Sequence, residues 1–509
     1  MPEPAAIDAG TVTFGGATTT SGAALSVSNA KLENTAQINA GTITFTNAMG
    51  TVGGHLVGSG KISILGGSNV TATNFGLYTS AGGYEITGST LVLNNAVPGG
   101  KLSGGQTVTI GAGGTVRVMG NQYNTVFGQN WVIENGGLLS FENTAQNANN
   151  GGSVTLKGGT VAQAGNPDGG YAHLIVNGGL TVQDNPSTWS AELGFTGNQT
   201  VNVAETGADV DFLVTGRLRG NGPGAHGFTK TGAGKMRISG VNADYGGDVI
   251  VAAGVLEVFN PTGNSGLSPL SAGRPVTIRN LAMLSLMGTS YNAVGTGGNM
   301  PSLITVEAGG LLIASNAVEN AHNIGSLALS GGTVSAANAN HDGFGNFIIN
   351  GQITHTGNAP SLIDAPAIAF RSPGGTVDVA DGTAAVDLTI TSAILDHAGP
   401  SQLTKAGSGT LTLTGALSHT GATTIVAGTL NVDTAIGTGA NIVNANGGTT
   451  NFHTSQTLAE LNIGDGATVV FGAPPMFASS VATQAVPEPG AIALFLGGLG
   501  LLVASRRRA

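Results

Sequence analysis

The chain has 509 residues, of which 86 are glycine and 9% are charged, with no cysteine and a formal net charge of −10. Charge this sparse, against a norm of about 25%, argues against an ordinary enzyme-like surface, and the missing cysteines exclude disulfides and thiolate metal sites. No basic stripe is present to track phosphates, so nucleic acid is not an expected partner.

Two other readings of so much glycine are collagen and disorder. No Gly-X-Y period is present, and the 40% apolar content alternates between glycines in a way that can bury a core. Ordered β-structure is the expectation.

In chain order, Met1 to Ala5 run directly into a predicted strand at Thr11 to Phe14, with neither a basic start nor an apolar segment. The export signal that the other end implies is therefore expected to be missing from this sequence. Short glycine-led strands then recur, AGTITF at 40–45, GGTVRV at 113–118, GGLLSF at 136–141, GGTV at 158–161, GGLTV at 178–182, GGLLI at 309–313 and GGTV at 331–334. Several neighbours lie about 20 to 22 residues apart, a solenoid-coil period. The sequence ENTAQ appears twice, at 33–37 and 142–146. Asparagine-rich stretches such as 143–150 suit turns, where asparagine tolerates left-handed backbone and can form ladders between stacked coils. A β-sandwich or antiparallel meander would use the same alternation, but uniform texture and Gly-Gly rather than Asn-Gly turns favour the solenoid.

The pattern is clearest at Leu403 to Val432. Thr410-Leu411-Thr412-Leu413-Thr414 alternates strictly, which puts both leucines on one face. A second copy spans Phe228 to Val258: Lys230, Gly232, Gly234, Gly254 and Leu256 correspond to Lys405, Gly407, Gly409, Gly428 and Leu430. The pair resembles the autotransporter-associated β-strand repeat of secreted bacterial β-solenoids. The resemblance implies a right-handed parallel β-helix passenger on the cell surface. The body is expected to occupy residues 1–471, followed by a linker at 472–485 that has lost the alternation.

Val486-Pro487-Glu488-Pro489 precedes an uncharged apolar run, Gly490 to Ala504, and then Arg506-Arg507-Arg508 near the C-terminus. Fifteen apolar residues are fewer than the roughly twenty of a robust spanning helix, but snorkelling arginines extend the span and orient it with the body outside. Residues 486–509 closely resemble a PEP-CTERM sorting signal. That resemblance implies an inner-membrane precursor held by a short transmembrane helix at 490–504, cleavage by an exosortase-type protease, and delivery to the surface or extracellular polysaccharide matrix of a Gram-negative bacterium. Pro2-Glu3-Pro4 spells the same tripeptide without the apolar run and reads as coincidence.

Parallel β-helices also carry polysaccharide lyases and glycoside hydrolases, which use carboxylates on one face. The candidates are Asp364, Asp378, Asp381, Asp387 and Asp396, with Arg371 nearby in sequence; solvated face and turn carboxylates are the preferred reading. Nine histidines are scattered as singles, without metal-ligand spacing, and are expected at the surface or in turns. Trp131, Trp189 and Tyr171 could stack on sugars but are expected to pack. No cofactor, metal or catalytic residue is predicted. The expected function is non-enzymatic, in adhesion or the extracellular polysaccharide (biofilm) matrix, with a polysaccharide-active β-helix enzyme as the alternative.

Overall fold

The computed structural model describes residues 5–472, apart from short stretches at 15–17, 20–22, 35–36, 74–77, 95–101, 103, 120–123, 143–148, 165–172, 221–225, 241–242, 262–267, 271–272, 289–292, 295–299, 316–320, 339–344 and 438–440. These residues form strands and no helix, and every described strand ladder is parallel. The chain is a parallel β-solenoid. It divides into two compact units, Met1–Glu257 with Pro269–Ser271, and Val258–Ser268 with Ala272–Ala509.

Within each unit the winding follows from the alternation. In the first, one coil contains Asn130–Glu134, Leu138–Phe141 and Asn149–Gly151, and the next contains Val154–Lys157, Thr160–Gln163 and Leu174–Val176. Each strand pairs with its counterpart one coil on. Alternate side chains point inward and stack on their equivalents, as in Val108, Trp131, Val154, Leu180 and Val201, all buried. A second inward column runs Val116, Leu139, Val161, Trp189, Val214 and Ile238. Both tryptophans are therefore core, as expected; Tyr171 lies outside the described residues. In the second unit the third face is built by His322–Ile324, Phe347–Ile349, Ala367–Arg371 and Ala393–His397.

The coil period is looser than the sequence suggests. Val154 pairs with Leu180, 26 residues on, whereas Lys405 pairs with Ile425, 20 residues on. Strand lengths are fixed by pairing, so the turns absorb the difference. The asparagine expectation holds at Asn47, which lies between strands with φ of 50°; Asn29 has φ of 52° within the strand Leu25–Asn34, and the two form a ladder, Asn47 Nδ2 donating to Asn29 Oδ1 at 2.7 Å and Asn29 Nδ2 to Asp8 Oδ1 at 2.8 Å. It needs correction at Asn149 and Asn150, which lie in a strand. Asn149 is buried there because its side chain takes the Val126 amide and donates to the His173 carbonyl.

The last described strand is Thr468–Phe471. Among the described residues no helix is long and apolar enough to cross a membrane; the linker beyond Gly472 and the tail at 486–509 lie outside them.

Candidate functional site

The two lysines of the repeats occupy inward positions that aliphatic residues fill elsewhere. Lys405 stacks between Val377 and Ile425, and Lys230 between Val201 and Val251, and both are 0% exposed. A buried ammonium is tolerable only with its three protons bonded. Lys405 Nζ donates to the carbonyls of Ala406 (2.7 Å), Gly407 (2.8 Å) and Ala427 (3.1 Å). Lys230 Nζ repeats the arrangement on Thr231 (3.2 Å), Gly232 (2.7 Å) and Ala253 (2.9 Å). Each lysine thus ties the corner of its own coil to the corner of the next.

The glycines make that corner possible. Gly407 and Gly232 have φ of +75° and +76°, and a Cβ on either would lie 2.3 Å from a carbonyl oxygen of the preceding coil. Gly409 and Gly234 are confined in the same way, with 2.4 and 2.3 Å to the Ala380 and Ala204 oxygens. One coil on, Gly428 and Gly254 have φ of +70° and +63°, and a Cβ there would meet the Gly407 and Gly232 oxygens. Leu411, Leu413, Leu430 and Leu256 are buried beside these corners.

A buried aspartate completes each corner from the coil before. Asp387 accepts from the amides of Gly382 (2.9 Å) and Thr410 (2.7 Å), and Asp211 from those of Thr206 (2.8 Å) and Lys235 (2.6 Å). Burial pushes both lysines down to about 8; the charges of Asp211 and Glu205 oppose the shift at Lys230, and those of Asp378 and Asp387 at Lys405. Sequence reasoning missed Asp211 altogether and read Asp387 only as a possible face carboxylate. The signal was present as Val210-Asp211-x-x-Val214-Thr215 and Val386-Asp387-x-x-Ile390-Thr391, 19 and 18 residues before the respective lysines.

The other acidic candidates do not converge. Asp396 accepts from the Ser401 amide (2.8 Å) and the Thr420 hydroxyl (2.6 Å), and Asp364 and Asp381 are exposed. Arg371 donates to Asn350 Oδ1 and to Asn323 Oδ1. No group of three His, Asp or Glu side chains suited to a metal occurs among the described residues.

The histidine expectation needs correction. His173, His322, His355 and His419 are buried, because their ring nitrogens serve groups at coil corners. His322 Nδ1 takes the Ala293 amide (3.1 Å), His173 Nδ1 the Glu192 amide (3.3 Å), and His419 Nε2 meets the Thr423 hydroxyl (2.8 Å). Burial pushes His322 down to about 3, and burial with the nearby Arg219 charge pushes His173 down to about 4. Both rings are neutral at physiological pH. His341 lies outside the described residues.

Two stretches, 228–258 and 403–432, match the Passenger-associated-transport-repeat. They are the two lysine-tied corners. Over 320 residues, 58% of the chain, the sequence is also 28% identical to the Adhesin BmaC autotransporter of Brucella suis biovar 1 (strain 1330). The chain spans about 9% of that protein's length. No solved structure matches the chain.

Proposed function

We propose that this chain is a non-enzymatic β-solenoid passenger, displayed at the cell surface, that acts in adhesion within the extracellular polysaccharide matrix. The observation that carries this reading is the likeness of more than half the chain to an autotransporter adhesin, supported by two passenger repeats whose lysines serve to hold coils together. The buried carboxylate Asp387 has both oxygens bonded to backbone amides, as a structural group would. Its coils wind right-handed, as parallel β-crossovers nearly always do. The tail supplies the sorting: residues 490–504 hold the precursor in the inner membrane, Arg506 to Arg508 orient it, and an exosortase-type protease cuts at Val486 to Pro489.

Latex beads coated with the full-length protein test the adhesive part. They should accumulate on the host's extracellular matrix well above beads coated with an unrelated protein of similar charge. Equal accumulation would remove adhesion from the reading.

A further inference from the structure

Between Thr410 and Thr468 one face of the second unit carries two columns of neutral hydrogen-bonding groups, one running through four coils and one through three before Val470 ends it. Thr410, Thr429, Thr449 and Thr468 occupy one outward column in continuous register. Two residues along each strand, Thr412, Asn431 and Asn451 form the adjacent column. The columns are about 6.6 Å apart along the strand and the coils about 4.8 Å apart across it. All seven side chains are partly exposed.

The second column is held in place by its own bonds. Asn431 Nδ2 donates to Thr412 Oγ1 at 3.1 Å, and Asn451 Nδ2 to Asn431 Oδ1 at 2.8 Å. Such a ladder fixes the amide rotamers before any partner arrives, which lowers the entropy cost of binding. Each hydroxyl and amide can both donate and accept, and the ladder uses only part of that capacity.

Charge narrows the partner. From residue 374 to 472 the sequence has seven acidic residues and a single lysine or arginine, Lys405, which is buried, and His453 beside the grid is already paired with Asp433. Phosphate-, sulfate- or uronate-rich polymers would find nothing cationic there, whereas a chain of neutral hydroxyls meets matching donors and acceptors at a regular interval.

We infer that the Thr410 to Thr468 face binds an extended neutral polysaccharide lying along the coil stack, through many weak repeated contacts. This rests on the adhesive reading above and names its partner. Binding of this kind depends on array length rather than on one strong contact, so disrupting the middle of the grid should weaken it throughout.

The test uses full-length protein in pull-downs with cellulose, chitin and curdlan, with alginate beads as the polyanion control. The wild type should be retained by at least one neutral glycan and not by alginate. Thr429→Lys combined with Asn451→Lys should weaken retention about tenfold, whereas a Thr404→Lys/Thr424→Lys pair on the neighbouring face should bind as wild type. Unchanged circular dichroism melting identifies the variants as folded; if the double variant does not fold, Thr429→Gln replaces it and should show the same direction of loss. Retention by none of the three glycans, equal retention by alginate, or undiminished binding by the grid variant would overturn the inference. So would self-association of the wild type that the grid variant abolishes, which would assign the face to a second copy. If wild-type and grid-variant beads adhere equally to the host matrix, the inference fails while the adhesive reading stands; if wild-type beads do not adhere at all, that reading fails.

Discussion

Lysine at an inward position runs against the usual preference of that side chain for water, and the three carbonyls around each Nζ are what reverse it. Lys405→Met keeps the volume but leaves those carbonyls without their donor, at about 1–3 kcal/mol in total once the relief of desolvation is counted. Faster hydrogen exchange confined to residues near 403–432 would register this; unchanged exchange there would mean the three bonds contribute nothing net. The pH dependence has a definite sign. The folded value of about 8 lies below the ordinary 10.5, so between those values the unfolded chain holds more protons and stability rises with pH. The advantage of wild type over Lys405→Met should therefore grow between pH 8 and 10, by roughly 1.4 kcal/mol per pH unit at most. The buried histidines act at the acid end. His322 and His173 take a proton at about 6.5 when unfolded but only near 3 and 4 when folded, so stability is lost as pH falls below 6.5. Denaturant midpoints should fall from pH 6.5 to 4.5, and less steeply in a His322→Gln variant; parallel slopes would show that His322 does not control the acid limb.

At the level of strands, much was legible. Thr410 to Leu413 reads as a strand because period two has no other economical burial, and both leucines are inward and fully buried. Leu413→Asp would put an unpaired charge into that stack, destabilising its coils by several kcal/mol. Damage should stay with the neighbouring coils, since each coil pairs only with the next, and limited proteolysis should cut first near residue 413. An unaltered digestion pattern would contradict the stacking. What could not be read was the turns. Coil period depends on turn length, which no pairing constrains, so 20 residues separate Lys405 from Ile425 but 28 separate Val377 from Lys405. The roles of Lys230 and Asp211 were hidden for a different reason: single-residue preferences place both at the surface, and only the coil stacking brings lysine to carbonyls and aspartate to amides.

For the whole molecule, the repeat lysines and glycines hold the coil corners, and the proposed adhesion and sorting are assigned to the outward faces and to the tail. If the tail is cut as proposed, loss of three arginines and Glu488 leaves 14 basic and 26 acidic residues, moving the formal charge from −10 to −12. Pro487→Ala with Pro489→Ala would let helix propagate into the cleavage segment and should leave an uncut, membrane-associated precursor; an intact mass that still includes Leu501 to Ala509 in the released wild-type protein would contradict the processing. The central claim, that the chain is displayed to make cells adhere, is tested most directly by attachment of the native host after deletion of this protein. The deletion strain should lose a large share of its surface attachment and regain it with the full-length chain, whereas attachment equal to wild type would contradict the claim.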